Sequence, residues 1–171
     1  MPEPSDTDWA YAAGFVDGEG CIAIVRSFSQ ARSLYQYSVQ VVVANHDRRA
    51  LDWMQATWNG WVVAATPGVG LARRSWCWRA PTGKAAEPFL TGIRPWLRLK
   101  AEQCDNALEM IELLRPGQKL GRGKRLPADI RAKQEQHYWV QRELNHRGTG
   151  TFTRKPMHSP RRIHRLRAEQ A

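Results

Sequence analysis

The sequence predicts an α+β domain: a four-stranded antiparallel sheet covered by helices on one face, followed by C-terminal helices and a basic tail. Three observations lead there. Strand-like runs come in two pairs, and a helical segment precedes each pair. The run at 35–43 alternates polar and apolar residues, the mark of a sheet with one packed face and one open face. The basic charge is concentrated in the last third of the chain.

Ser5, Asp6 and Asp8 offer capping oxygens to a first helix over Asp8–Asp17, where Trp9, Ala12, Ala13 and Val16 recur at helical spacing. Gly18 and Gly20 are expected to break it. The β-branched run Cys21–Arg26 reads as a strand, and a polar turn near Ser29–Ser33 leads to a second strand over Tyr35–Val43. In that second strand Tyr37, Val39 and Val41 share one face, and Gln36, Ser38 and Gln40 share the other. Asn45 or Asp47 caps a second helix ending near Trp58, with Leu51, Met54 and Trp58 on one stripe.

Asn59-Gly60 is a turn signal, and strands over Trp61–Thr66 and Leu71–Arg79 flank Pro67-Gly68. The pattern turns helical from about Thr82 to Leu97 and again over Lys100–Leu114, where Arg115-Pro116-Gly117 is expected to stop it. Gly121–Arg125 reads as a basic linker, and a last helix runs from Pro127 to about Leu144. Trp53, Trp58, Trp61, Trp76, Trp78 and Trp96 fall in apolar patterns and are read as core. The expected organisation is a core at 1–114, a linker and helix at 115–144, and a flexible tail at 145–171.

At 42% hydrophobic residues the chain can build a core, which excludes a wholly disordered protein. No run of about 18 apolar residues exists to span a membrane. The acidic start MPEPSDTD lacks the plan of a secretory signal, and Cys21, Cys77 and Cys104 form no CxxC pair. These features lead to the expectation of a cytoplasmic protein with reduced thiols. The net charge is +10, with 11 basic and 12 acidic residues in 1–114 against 15 and 4 in 115–171. A near-neutral body with a strongly basic end suits a polyanionic partner, nucleic acid above all. Along the fourth strand Arg73, Ser75, Cys77 and Arg79 alternate with Arg74, Trp76 and Trp78. With Gln36, Ser38 and Gln40 they supply side chains that read base edges in a major groove, which admits a β-ribbon.

The chemistry is carried by Ala12-Ala-Gly-Phe-Val-Asp-Gly-Glu-Gly20, a helix of small residues that ends in two carboxylates. A divalent cation promotes hydrolysis of a phosphodiester by activating water and offsetting charge on the leaving oxygen, and Mg²⁺ takes oxygen ligands with only one or two protein carboxylates. The segment resembles the LAGLIDADG motif of the homing endonucleases. Ala12 replaces the motif's leading Leu, and Glu19 stands at its catalytic acidic position, where the family uses Asp or Glu. The resemblance covers about Asp8 to Leu114, including the order of elements after the motif.

The resemblance implies an αββαββα half-fold with a saddle-shaped sheet, working as a homodimer because one motif supplies one active-site acid. It implies close helix packing through Ala12, Ala13 and Gly14, a Mg²⁺ site with Glu19 and the Gly18 carbonyl as ligands, and catalytic roles for Asn45 and Lys100. It also implies double-stranded DNA as substrate, cut across a central minor groove to leave 3′ overhangs. Arg48 or Arg49 fills a basic role nearby, and Arg147 joins the tail in phosphate contact. Two alternatives remain open on the sequence: an RNA-binding intron maturase, and a DNA-binding regulator of the same fold that cuts nothing. The presence of both Glu19 and Lys100 favours the nuclease.

Overall fold

A computed structural model describes residues 3–30, 34–65, 74–119 and 126–146. Arg73, Arg147 and the basic tail lie outside the described residues. The order is α1 (Asp6–Glu19), β1 (Gly20–Ser29), β2 (Leu34–Asn45), α2 (Arg48–Trp58), β3 (Trp61–Ala64), β4 (Trp76–Arg79), α3 (Glu87–Ile93), α4 (Ala101–Lys119) and α5 (Ala128–Leu144). Short 3-10 turns at Gly83–Ala86 and Arg94–Trp96 flank α3. Among the described residues no helix is long and apolar enough to cross a membrane.

Ser5 caps α1 through a reciprocal box: its hydroxyl accepts from the Asp8 amide, and the Asp8 carboxylate accepts from the Ser5 amide at 2.9 Å. The helix continues through Gly18 to Glu19, one step past the expected break. Gly20 is the residue that turns it, since a Cβ there would sit 2.7 Å from the Val16 carbonyl oxygen. Asp47 is the cap of α2, accepting from the Arg49 amide at 3.0 Å.

The four strands form one antiparallel sheet in the order β1-β2-β4-β3. Gly20 lies opposite Val43 and Ser29 opposite Leu34, so β1 and β2 form a long hairpin. β4 pairs only with the end of β2, Val42 to Arg79 and Asn45 to Trp76. Among the described residues β3 ends at Ala64 and β4 begins at Trp76, and the expected strand residues 66 and 71–73 lie outside the described residues. The Asn59-Gly60 turn holds because both residues have positive φ, and a side chain at Gly60 would collide with the Arg79 carbonyl.

Helices cover one face of the sheet. Ile22, Ile24, Val39, Val41, Val43 and Trp78 point into a core shared with Ala12, Ala13 and Val16 of α1, Leu51 and Met54 of α2, and Leu90 and Ile93 of α3. Trp58 and Trp78 are core residues, and Trp53 and Trp76 pack against them. Trp61 and Trp96 are not: they are 42% and 40% exposed. Their flanking residues are apolar, but strand and turn geometry points these two rings outward.

α4 does not stop at Leu114 but runs through Pro116 to Lys119. A proline removes one N–H from the ladder, and here that loss does not end the turn. α5 then packs back on α4 and β1. The Gln141 amide donates to the Ile22 carbonyl at 2.6 Å, and Asn145 donates to the same oxygen at 2.8 Å. Gln134 is buried against the Leu113 carbonyl at 2.9 Å. The expected boundary at 114 therefore falls inside a helix, and α5 is fastened to the edge of the sheet.

Candidate active site

The end of α1 is the focus of the candidate site. Asp17 is half-buried, and its carboxylate accepts from three successive amides: Arg98 at 2.7 Å, Leu99 at 3.2 Å and Lys100 at 2.9 Å. Lys100 returns the contact. Its side chain is buried, and its ammonium donates to the Val16 carbonyl at 2.9 Å and to the Asp17 carbonyl. These are carbonyls of the last helical turn, at the negative end of the helix dipole, and the Val16 oxygen also accepts from the Gly20 amide. An ammonium is at home there, and its burial is compensated by those oxygens.

The two acids of the motif are thus given different work. Asp17 is saturated with backbone donors, while Glu19, two residues on, is exposed. Gly18, also exposed, lies between them on the last turn. Because Gly20 pairs with Val43, the end of β2 reaches the same end of the sheet, and Asn45 is two residues beyond that pair. The Asn45 side-chain oxygen accepts from the Asp47 amide at 2.8 Å, so it shapes the turn into α2. Arg48 lies over the Trp76 ring at 4.7 Å and bonds Asp52 at 3.0 Å. Trp76 is the register partner of Asn45, which brings Arg48 to the same corner. Arg49 is bound to Asp47, whose carboxyl the Arg49 hydrogen bonds hold down at about 2.

A metal fits this corner in a limited way. Among the described residues no three His, Cys, Asp or Glu side chains converge on one point. One chain offers the exposed Glu19 carboxylate and the helix-terminal carbonyl of Gly18. These are oxygen donors of the kind that hard divalent cations take, and they are too few to hold an ion without further oxygens.

The sheet's second face is open. Its transverse rows are set by register: Trp61–Arg79–Val42–Cys21, then Val63–Cys77–Ala44 toward the α1 end, and Ala23–Gln40, Val25–Ser38 and Ser27–Gln36 toward the hairpin. Gln36, Ser38, Gln40 and Arg79 share this face. Ser75 lies just before β4, its carbonyl accepting from the Ala65 amide at 2.9 Å.

Such an arrangement is known. The chain superposes on the homing endonuclease I-CvuI in complex with its target, with a TM-score of 0.64 and 20% identity, covering 86% of this chain and 87% of that one. The fold is that of the LAGLIDADG homing endonucleases. The archaeal intron-encoded homing endonuclease I-Vdi141I complexed with DNA matches with a TM-score of 0.65 at 14% identity, over 86% of this chain and 90% of that one. The LAGLIDADG homing endonuclease I-GzeII, in complex with a DNA target, matches over 89% of this chain but only 54% of its own length, at 13% identity and a TM-score of 0.58. By sequence alone, no family model and no curated protein matches the chain.

Within the LAGLIDADG frame, the small residues of α1 separate into two sets. Ala12 and Ala13 are fully buried in the chain's own core, so the expected helix contact through them is corrected: they face inward. Gly14 is exposed, and a Cβ there would meet nothing within 4 Å. With Tyr11 and Gly18 it forms the outward stripe of the helix. The motif's spacing alone gives no direction to each residue; the signal that could have given it is Trp9 and Val16, which fix the inward face. Asp17 as an anchor was also missed, since its partners lie 81 to 83 residues away.

Proposed function

We propose that the chain is a site-specific homing endonuclease that acts as a homodimer on a pseudo-palindromic DNA duplex. It hydrolyses one phosphodiester per strand with a divalent cation and leaves 3′ overhangs. The single observation that carries this reading is the division of labour at the end of α1: one carboxylate, Asp17, is consumed in holding the loop that bears Lys100, and the other, Glu19, is left exposed at the helix end. A fold kept only for binding has no need of that second carboxylate.

The surface supports this assembly. Six large apolar side chains are exposed among the described residues: Tyr11, Val25, Trp61, Val63, Trp96 and Leu99. Tyr11 lies on α1, Trp96 in a turn that packs on α1, and the Leu99 amide is bound to Asp17. A second copy meeting the first along the Tyr11–Gly14–Gly18 stripe covers this patch and brings two Glu19 carboxylates together. Two like charges at close range are costly unless a cation lies between them. The match to about half of I-GzeII supports a unit that works in pairs.

A bound divalent ion would supply charge neutralisation at the phosphate and a more acidic water. The residues of the chain do the rest. Glu19 and the Gly18 carbonyl hold the ion, and Lys100 fixes the turn that carries both and adds positive charge beneath the phosphate. Asn45 orients the attacking water from the end of β2, and Arg48 contacts the backbone. Gln36, Ser38, Gln40, Arg73, Ser75 and Arg79 read base edges, while Arg147 and the tail bind phosphates.

The test is incubation of the purified protein with a randomised duplex library and Mg²⁺, followed by sequencing of cut ends. Recovery of one two-fold-related site with 3′ extensions supports the proposal. Binding to a selected duplex with no cut ends supports a regulator, and retention of structured RNA in place of duplex supports a maturase.

A further inference from the structure

The three exposed apolar side chains that do not adjoin α1 are Val25, Trp61 and Val63, and register puts all three on the open face of the sheet. Val25 belongs to β1 and the other two to β3, which are the edge strands. On a solvated sheet face this is the wrong place for them, because exposed apolar edges invite aggregation. The central strands carry Gln36, Ser38 and Gln40 on β2 and Arg79 on β4, beside the smaller apolar Val42 and Ala44. The large exposed apolar side chains of the face, Val25, Trp61 and Val63, stand on its two edge strands.

We propose that Val25 and Val63 read the C5-methyl groups of pyrimidines in the major groove, so that the target carries thymine at two separate positions in each half-site. This rests on the endonuclease reading and deepens it by naming what the apolar residues recognise. The occupant is duplex DNA because Arg79 lies on the face itself, beside the amides of Gln36 and Gln40, and residues 115–171 of the same chain carry 15 basic against 4 acidic side chains. In the major groove thymine alone among the four unmodified bases presents a methyl group, and an apolar side chain is its ordinary partner. Val25 lies opposite Ser38, and Val63 is in the row of Ala44. Six residues of β2 separate these rows, about 20 Å at ~3.3 Å per residue. The two valines therefore contact different base pairs.

The experiment starts from the site recovered by library selection and uses the full chain with Ca²⁺, so that affinity is read without cutting. Each thymine is replaced in turn by uracil, which removes the methyl group and keeps every hydrogen-bonding edge. Binding is expected to weaken about fourfold at two positions per half-site, the equivalent of ~0.8 kcal/mol for one buried methyl group. Val63→Ala should abolish the penalty at one position and keep it at the other, and Val25→Ala should do the reverse. The retained position shows that each variant is folded. A selected site without thymine at either place, or uracil penalties that neither valine controls, overturns the proposal while leaving the endonuclease reading intact. A change in oligomeric state of either variant without DNA also overturns it, because the face then docks another copy. If the library yields no bound duplex, both readings fall together.

Discussion

Asp17 and Lys100 hold each other through their main chains: the Asp17 carboxylate accepts from the Lys100 amide at 2.9 Å, and the Lys100 ammonium donates to the Asp17 carbonyl. The pair ties the end of α1 to the start of α4 across more than 80 residues of sequence. Asp17→Ala leaves three amides without their acceptor, and each such loss costs about 1–3 kcal/mol where the group is buried. We expect a lower thermal midpoint and a cleavage rate that falls further than DNA affinity. Asp17→Asn, which keeps one acceptor oxygen, should lie between. An unchanged midpoint in the alanine variant would mean that the latch contributes nothing.

Glu19→Gln is the complementary experiment. Its side chain is exposed, so the substitution should leave the midpoint within ~0.5 kcal/mol of the parent. Cutting in Mg²⁺ should be lost, while duplex binding in Ca²⁺ is kept. Normal cutting by this variant would remove Glu19 from the active site.

The outward stripe of α1 makes a separate prediction. Gly14→Leu meets open space within one chain, so the fold should survive it. The close helix contact between copies should not. Sedimentation should report a monomer of normal secondary structure, with cleavage greatly reduced. A dimer that tolerates the leucine would show that the copies meet elsewhere.

Gly92 provides a test of the core. A Cβ at this position would approach the Trp9 ring to 2.5 Å, and that ring sits 5.2 Å from Trp58 and 6.3 Å from Phe89. Gly92→Ala should therefore destabilise by ~1–3 kcal/mol through overpacking, measured by urea unfolding. No loss of stability would mean that the aromatic cluster can shift to make room.

The cysteines differ in a measurable way. Cys104 is fully buried, and burial pushes its thiol from 9.0 up to about 12. A raised thiol stays protonated and unreactive throughout the range below that value. Cys21 is exposed on the open face. At pH 8 a maleimide should label Cys21 and spare Cys104 until the chain is unfolded, and mass spectrometry of the digest decides this.

Much of the frame could be read from local pattern. Ser5 and Asp47 cap helices because their side chains act within three residues, a range that sequence displays directly. The alternation at 36–41 gave the two faces of β2 for the same reason. What escaped depends on distant partners. Gln134 and Gln141 look like surface residues on α5, yet they are buried because each satisfies a backbone carbonyl of another element. Glu135 likewise gathers Arg26 and Tyr37 from two distant strands, and burial, with the Glu135 hydrogen bond second, raises the Tyr37 hydroxyl well above its ordinary value. At the candidate site the acidic motif was legible, but the separate duties of Asp17 and Glu19 were not, because both look alike until the 98–100 loop is in place.

The paired amides of Gln141 and Asn145 on the Ile22 carbonyl have a consequence for the life of the chain on the ribosome. Until α5 has emerged, that border of the hairpin is an open template on which a neighbouring nascent chain can add a strand. α5 thus acts as a terminator of sheet growth at this border. Chains cut short before residue 141 should accumulate as ordered aggregates rather than as soluble, inactive monomers.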